Sequence, residues 1–461
     1  MRVIVCGAGQ VGSTIARHLG TEGIDVTVID ISEEQVRKVD ESYDVRGVVG
    51  HASYPRILEK AGAQDADMLI AVTRSDEVNM VACQVAYSLF NVKRRIARLR
   101  HAGYIAQGER GLYAAEHLPI DIIISPEIQI AEGIAHRLRT PGAFDMVPMA
   151  DGLVELLGVH ADIEDCALIG TRFADLAQGG PVEGMSVVAV VRHGRCFIPD
   201  MRDLLQLGDD VYVIAPSEKS KQVTGAFGHR EKVAKHVVIV GCGNIGLHLA
   251  KKLRRESPSI DLKIIEHGRE RAEHVARELG SGAIVLQGDA LDRETLEEAH
   301  VSAAETVIAV TNDDETNIFV SVLAKQAGCE RAITLVNKRS YEALIPTLGI
   351  DAVVSPSAMT ISSVLSHVRQ GSISALYTLR EDFGEVVEAE IRTGSRLLGS
   401  KLVDISLPAG MKIGAVIRDK KVAIPNSETE LEPGDRVIAL ITYSHLRLAE
   451  ALLGATRRPF A

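Results

Sequence analysis

The chain has 461 residues, 46% hydrophobic and 25% charged, with no tryptophan; that length exceeds one ordinary hydrophobic core, so two to four domains are expected. Its 51 basic against 62 acidic residues leave a net charge of -11, the wrong sign for affinity built on phosphate-backbone contacts, which excludes nucleic acid as a partner. No stretch approaches the roughly 20 apolar residues that cross a bilayer, and the opening Arg2-Val3-Ile4-Val5 reads as a strand instead of a secretory leader, so a soluble cytoplasmic chain is expected.

Taken in chain order, a strand at residues 4–6 runs into Gly7-Ala8-Gly9-Gln10-Val11-Gly12, and a helix pattern follows at 12–20. A second strand, 26–29, ends on Asp30. The third, 45–49, precedes Gly50-His51-Ala52, and the fourth, 68–72, ends on Thr73. A helix at 79–90 and a fifth strand at 96–99, carrying Arg98, complete the alternation of a doubly wound parallel sheet. Ser125-Pro126 then opens a helix-patterned stretch at 128–138, and short strands such as 186–192 and 210–214 follow between Gly and Pro turns.

The whole series then recurs. Gly7 to Gly12 returns as Gly241-Cys242-Gly243-Asn244-Ile245-Gly246, a shift of 234 residues, and Ala71-Val72-Thr73 with Asp76-Glu77-Val78-Asn79 returns as Ala309-Val310-Thr311 with Asp314-Glu315-Thr316-Asn317, a shift of 238. Ser355-Pro356 and the stretch 358–368 answer to Ser125-Pro126 and its helix. Val191-Arg192, Ile198-Pro199 and Gly208-Asp209 recur 226 residues on as Ile417-Arg418, Ile424-Pro425 and Gly434-Asp435. The expected fold is therefore α/β: two doubly wound Rossmann domains, each followed by a small α+β domain, over 1–139, 140–220, 233–370 and 371–461. The polar stretch 217–235 is the expected junction of the halves.

A diphosphate requires backbone N–H groups at a helix N-terminus with no side chain in the way, which Gly7, Gly9 and Gly12, and again Gly241, Gly243 and Gly246, supply. The first-turn residues Gln10, Val11, Asn244 and Ile245 join them. One such motif is weak evidence; two, each between a strand and a helix and each followed by an acid at the end of the next strand, are strong. Asp30 and Glu266 lie 23 and 25 residues beyond Gly7 and Gly241, where a carboxylate accepts from ribose hydroxyls and repels a 2′-phosphate, so NAD(H) is preferred to its phosphorylated form. The plainer role for Asp30 is to cap the helix after it.

His51-Ala52 and Asp289-Ala290 are expected to border the adenine, and Thr73 and Thr311 to stand at the carboxyl edge of the sheet, as ligand contacts or as turn hydroxyls. Arg98 would face phosphates or the nicotinamide side; its counterpart is Leu335. Arg94-Arg95 and Lys251-Lys252 with Arg254-Arg255 read as solvated faces, and Arg192 and Arg418 as exposed strand arginines or contacts to a second effector. The six cysteines show no CxxC or metal-ligand spacing and read as core residues in a reducing compartment, so no metal site is expected.

The strand, glycine-loop and acid pattern, the Ala-Val-Thr followed by Asp-Glu-x-x-Asn, the Ser-Pro before a helix and the closing Gly-Asp-x-Val (Gly208 to Val211, Gly434 to Val437) together resemble the domains that regulate conductance of potassium (RCK or KTN domains). Duplicated over essentially the whole chain, they resemble the peripheral subunits of the Trk potassium-uptake systems. The resemblance implies a cytoplasmic subunit on the inner face of the plasma membrane. It implies nucleotide acting as regulator, NAD(H) first and ATP or ADP as further ligands, and a homo-oligomeric ring, expected as a tetramer. It also implies helices exchanged after Ser-Pro between neighbouring Rossmann lobes, and a membrane potassium-conducting partner of the TrkH or TrkG kind. The sequence departs from the family at His51, where an acid or short polar residue is usual.

The rival reading is an NAD-dependent dehydrogenase, since a Rossmann fold alone does not decide function. Hydride transfer requires a proton donor or acceptor beside the nicotinamide. The sequence holds no Tyr-x-x-x-Lys and no His-Asp or Lys-Asp pairing repeated between the halves, so no catalytic residue is expected. The regulatory part of an efflux or exchange transporter is a third reading.

Overall fold

A computed structural model describes residues 1–106, 111–163, 166–177, 183–230, 232–342, 344–368, 373–380 and 383–453. The first Rossmann lobe runs β1 (Arg2–Cys6), α1 (Gln10–Thr21), β2 (Asp25–Asp30), α2 (Glu33–Ser42), β3 (Arg46–Val49), α3 (Pro55–Lys60), β4 (Met68–Ala71), α4 (Asp76–Phe90), β5 (Arg94–Arg98), α5 (Ala102–Ile105) and β6 (Ile122–Ile124), and α6 (Pro126–Arg139) leaves it. Its strands are all parallel, in the order β3-β2-β1-β4-β5-β6. The apolar runs Val3 to Cys6 and Met68 to Ala71 are buried throughout because helices cover both faces of such a sheet. The sixth strand, three residues long, is too short to show a pattern in the sequence.

The first small domain holds β7 (Ala143–Met149), β8 (Val154–Ala161), α7 (Phe173–Ala177), β9 (Ser186–Arg192), β10 (Arg195–Phe197), β11 (Asp209–Pro216) and α8 (Ser220–Ala226). Its antiparallel sheet has the order β10-β9-β11-β8-β7. Helix α8 corrects the expected junction: Val223 and Phe227 are fully buried in this domain's core, so the domain continues past residue 220. Polar residues on the outer face of α8 gave the stretch the composition of a linker.

The second lobe repeats the first as β12 (His236–Val240), α9 (Asn244–Glu256), β13 (Asp261–Glu266), α10 (Arg269–Leu279), β14 (Ile284–Gln287), α11 (Arg293–Glu298), β15 (Thr306–Ala309), α12 (Asp314–Ala327), β16 (Arg331–Leu335), α13 (Arg339–Glu342), β17 (Ala352–Val354) and α14 (Pro356–Val368). Its strand order, β14-β13-β12-β15-β16-β17, is that of the first lobe. The last domain, β18 (Ile373–Arg380), β19 (Gly384–Glu390), β20 (Met411–Arg418), β21 (Lys421–Ala423), β22 (Arg436–Thr442) and α15 (Leu446–Leu453), repeats the small sheet as β18-β19-β22-β20-β21. The expected boundary at 370/371 lies outside the described residues.

By contact the chain forms two bodies: one holds 1–129 and 355–368, the other 130–354 and the described part of 369–457. Within the first, α14 packs on α1, and Gln129 Nε2 donates to Ser363 Oγ at 3.1 Å. Ile361, Val364, Leu365 and Val368 are at most 3% exposed there, each worth roughly 1.5–3 kcal/mol by burial. Within the second body α6 lies beside α9, with Arg139 and Glu256 3.7 Å apart. The helix after each Ser-Pro is thus exchanged between the Rossmann sheets of a single chain, and the lobe expected at 1–139 gives up the greater part of α6. Also within the second body, the two small sheets pack face to face through Leu156, Val188 and Ile214 against Val386, Ala415 and Leu440.

Candidate functional site

The site is built at the carboxyl edges of β1 and β12. Gly7 and Gly241 turn the chain with φ of +109° and +87°, a region that favours glycine. Gly12 and Gly246 let the following helix close on that turn: a Cβ on either would stand 1.8 or 2.1 Å from the carbonyl oxygen of Gly7 or Gly241. Gly9 and Gly243 face open space and are the N-caps of α1 and α9, with no side chain bonded to the helix amides. The side chains of Ser32, Ser75 and Asp313, by contrast, cap α2, α4 and α12. The first amides of α1 and α9, at Gln10-Val11-Gly12 and Asn244-Ile245-Gly246, therefore present the positive end of the helix dipole to open space.

The two acids brace these loops in the same way. Asp30 Oδ2 accepts from the Ala8 amide at 2.7 Å and Oδ1 from the Ser32 amide at 2.8 Å. Glu266 Oε2 accepts from the Cys242 amide at 2.8 Å and Oε1 from the Gly268 amide at 3.0 Å. Each carboxylate joins the glycine loop to the next strand's end, and each oxygen keeps a lone pair for a further donor. Asp30 does not itself cap α2, since Ser32 is the N-cap; it braces the glycine loop and holds the amide of that cap residue. Burial pushes the thiol of Cys242, inside the second loop, up to about 12.

Thr73 and Thr311 stand at the carboxyl ends of the fourth strands and pack against Gly7 and Gly241. Their hydroxyls are turned into the protein: each donates to an asparagine Oδ1 at 2.7 Å, Asn79 for Thr73 and Asn317 for Thr311. Both asparagines are fully buried and also donate from Nδ2 to the carbonyls of Arg98 and Leu335, at 2.9 and 3.0 Å. Asp76 accepts from the amides of Arg100 and His101, and Asp314 from those of Asn337 and Lys338, at 2.7–3.0 Å. The Asp-Glu-x-x-Asn motif therefore ties the fourth strand's end to the fifth's. The repetition of Asn79 and Asn317 was visible in the sequence; their burial was not.

The copies differ beyond the third strand. His51 stacks on Tyr54 with ring centroids 4.7 Å apart, its Nδ1 2.8 Å from Ser53 Oγ, whereas Asp289 Oδ1 accepts from the Leu291 amide at 2.9 Å. Ala52 and Ala290 are buried beside them. Arg98 ends β5 half-buried, its Nε without a hydrogen-bond partner among the described residues. Burial, then the neighbouring Arg100, hold its guanidinium below the usual arginine range. In the second copy, Arg271 lies across the glycine loop, donating from Nε to the Cys242 carbonyl at 2.7 Å and from Nη2 to that of Gly243 at 3.1 Å. Its counterpart is Gln35, and no motif pointed to it.

With this geometry in view, comparison with known proteins is decisive. The TrkA-N domain model matches residues 3–126 and 237–356, and the TrkA-C domain model matches 386–454. The chain is 43% identical to the Trk system potassium uptake protein TrkA of Azorhizobium caulinodans, over 98% of both chains. It is 39% identical to that of Halomonas elongata over 96% of both and 38% identical to that of Vibrio alginolyticus over 98% of both. The chain belongs to the TrkA family. Among solved structures the GsuK RCK domain is similar in fold, with a TM-score of 0.60 at 19% identity over 99% of this chain and 95% of that one. A GsuK channel bound to NAD gives 0.59 at 19% identity, over 99% and 79%.

The TrkA-C domain and its first-half counterpart share a further device that corrects the reading of Arg192 and Arg418. Each guanidinium grips an almost fully buried carboxylate through two bonds, Arg192 to Asp209 at 2.7 and 2.6 Å and Arg418 to Asp435 at 2.7 Å twice. They are structural clasps, visible in the sequence only as the recurring arginine and Gly-Asp. Burial alone would raise the Asp435 carboxyl, but the Arg418 guanidinium and the Glu432 amide more than offset it and hold it below the usual carboxylate range.

Two basic runs in the TrkA-N domains also depart from a solvated face. Arg95 is 6% exposed, paired with Asp121 at 2.8 Å and donating to the carbonyls of Pro119 and Val92, because β6 closes over it. The Lys252 side chain, paired with Glu256 at 2.9 Å, is only 11% exposed. The cover comes from elements distant in the chain, β6 for Arg95 and α6 for Lys252. Among the described residues no helix is long and apolar enough to cross a membrane.

Proposed function

We propose that this chain is the peripheral cytoplasmic regulatory subunit of a bacterial potassium-uptake system. It binds NAD(H), and ATP or ADP in competition, at two Rossmann cradles, and as a homotetramer it gates a membrane potassium-conducting partner of the TrkH or TrkG kind. The observation that carries the reading is the pairing, in both copies, of an uncapped helix N-terminus with an acid bonded to the same glycine loop. The diphosphate takes the amides of Gln10-Val11-Gly12 or Asn244-Ile245-Gly246, and the ribose hydroxyls take the free lone pairs of Asp30 or Glu266. Adenine lies by His51-Ala52 or Asp289-Ala290. Thr73 and Thr311 set the loop's position, and Arg98 lies toward the far end of the first ligand. The names of the relatives, and a fold shared with a channel solved with NAD bound, support the assignment.

Gating follows from linkage. A nucleotide moves the partner's equilibrium only by the ratio of its affinities for the two states of the ring. A tenfold ratio is about 1.4 kcal/mol per site, and several sites per ring together carry a gate through most of its range. Calorimetric titration with NADH and ATP tests the assignment: Asp30→Ala and Glu266→Ala should each weaken one site. Unchanged isotherms for both, or steady consumption of NADH by the purified chain, would refute it.

A further inference from the structure

The two cradles correspond in their loops, acids, threonines and asparagines; besides Arg98 opposite Leu335 and His51 opposite Asp289, they differ in charge beside the glycine loop itself. In the second, Arg271 and Glu266 reach the same loop: the guanidinium holds the carbonyls of Cys242 and Gly243 while the carboxylate holds the Cys242 amide. In the first cradle the Ala8 amide and Asp30 make the equivalent bond, but the fifth residue beyond the acid is the neutral Gln35. A carboxylate beside a diphosphate opposes its binding. A guanidinium fixed one peptide unit from the same amides cancels that opposition and adds to the helix dipole.

We propose that Arg271 sets the second cradle apart from the first as the tighter and more salt-sensitive diphosphate site, by cancelling the charge of Glu266 beside the ligand. This inference depends on the cradles being nucleotide sites, as proposed above. Two fixed bonds to the loop make the side chain a preorganised charge instead of a mobile one, so its effect requires no rearrangement when ligand arrives. At an effective dielectric of about 20 and a separation of roughly 6 Å, partly screened by salt, one charge is worth about a tenfold change in affinity.

The test uses the full-length chain with one cradle closed at a time, Gly12→Ala leaving the second and Gly246→Ala leaving the first, titrated with ADP and with NADH between low and physiological salt. The second cradle is expected to bind ADP about tenfold more tightly than the first at low salt and to lose more affinity as salt rises. Arg271→Gln in the Gly12→Ala chain should erase both differences, and Arg271→Lys should keep the steeper salt slope. Gln35→Arg in the Gly246→Ala chain should steepen the slope of the first cradle. An Arg271→Gln chain with unaltered affinity and slope would overturn the proposal. So would an Arg271→Lys chain as weak as the glutamine variant, which would make the residue a brace for the loop alone. Failure of the unsubstituted chain to bind either nucleotide would bring down the cradle reading and this inference together, and it would show before any change at Arg271.

Discussion

Asn79 holds Thr73 at three points: its Oδ1 accepts from the Thr73 amide at 2.9 Å and hydroxyl at 2.7 Å, and its Nδ2 donates to the Thr73 carbonyl at 3.3 Å. Since Gly7 packs on that same threonine backbone, a side chain that never reaches the ligand fixes the wall of the glycine loop. Asn79→Ala leaves the Thr73 amide and the Arg98 carbonyl unpaired in a buried place, at a cost of about 1–3 kcal/mol. The expected outcome is an earlier denaturant midpoint for the first lobe, with nucleotide binding weakened at that cradle and retained at the second. Asn317→Ala should give the converse, and equal weakening of both cradles by either variant would contradict it.

Closing a cradle is a sharper perturbation. A methyl on Gly12 would stand 1.8 Å from the Gly7 carbonyl oxygen, a backbone atom that cannot swing away. Gly12→Ala must therefore shift the loop and should lower affinity at the first cradle by more than tenfold, whereas Gly9→Ala, whose methyl meets nothing within 4 Å, should have a smaller effect. Calorimetry on the two variants separates these outcomes; equal losses would show that the close approach at Gly12 is not what matters.

How much of this was legible follows from where the cause lies. The alternation of strands and helices, the duplication and the glycine loops follow from local signals, glycines at fixed offsets and apolar runs, and these survive in the sequence. Arg95 and Lys252 read as surface because their composition is that of a surface, and the elements that cover them, β6 and α6, lie well away from them in the chain, one after Arg95 and the other before Lys252. Asn79 and Arg192 repeat between the halves, but repetition does not distinguish a ligand contact from a buried clasp; only burial and partners do. The helices after Ser125 and Ser355 show a helical period whichever sheet they cover, so the exchange seen in the fold was expected from family resemblance and not from periodicity.

The clasp in the last domain has a pH signature. The Asp435 carboxyl is held below its usual range in the folded state, so its stabilisation is fully present above the unfolded value of about 4 and is lost as pH falls through the lower folded value. Denaturant titrations from pH 6 to 3 should show that loss in the parent chain and a flatter profile for Asp435→Asn. Parallel profiles would mean that other carboxylates govern acid unfolding.

Lys412 in β20 gives a slope of the same sign at the alkaline end, from a group whose burial destabilises at neutral pH. Burial pushes its ammonium down to about 8, below the unfolded value of about 10.4. Between these two values the unfolded chain binds the proton that the folded chain has released, so stability should rise with pH across that window, by up to about 3 kcal/mol. Lys412→Met should stabilise the last domain at neutral pH and remove the rise. A parent chain whose stability is flat from pH 8 to 10 would show the ammonium to be solvated.

The exchanged helix makes a prediction that sequence position alone would assign to the wrong lobe. Leu365 belongs by sequence to the second half, yet it is fully buried in α14, and α14 packs on α1 of the first lobe. Leu365→Ala removes three carbons from a packed site and should cost about 2–5 kcal/mol. That cost falls on the body that contains the helix, because a cavity weakens the packing units that line it. Hydrogen exchange should therefore quicken in α1 and in the sheet β1 to β6, while β12 to β16 keep the protection of the parent chain. The reciprocal change, Ile134→Ala in α6, is fully buried within the other body and should loosen α9 while sparing α1. If Leu365→Ala instead quickened exchange in β12 and α9, α14 would be covering its own lobe and the exchange of helices within one chain would be refuted.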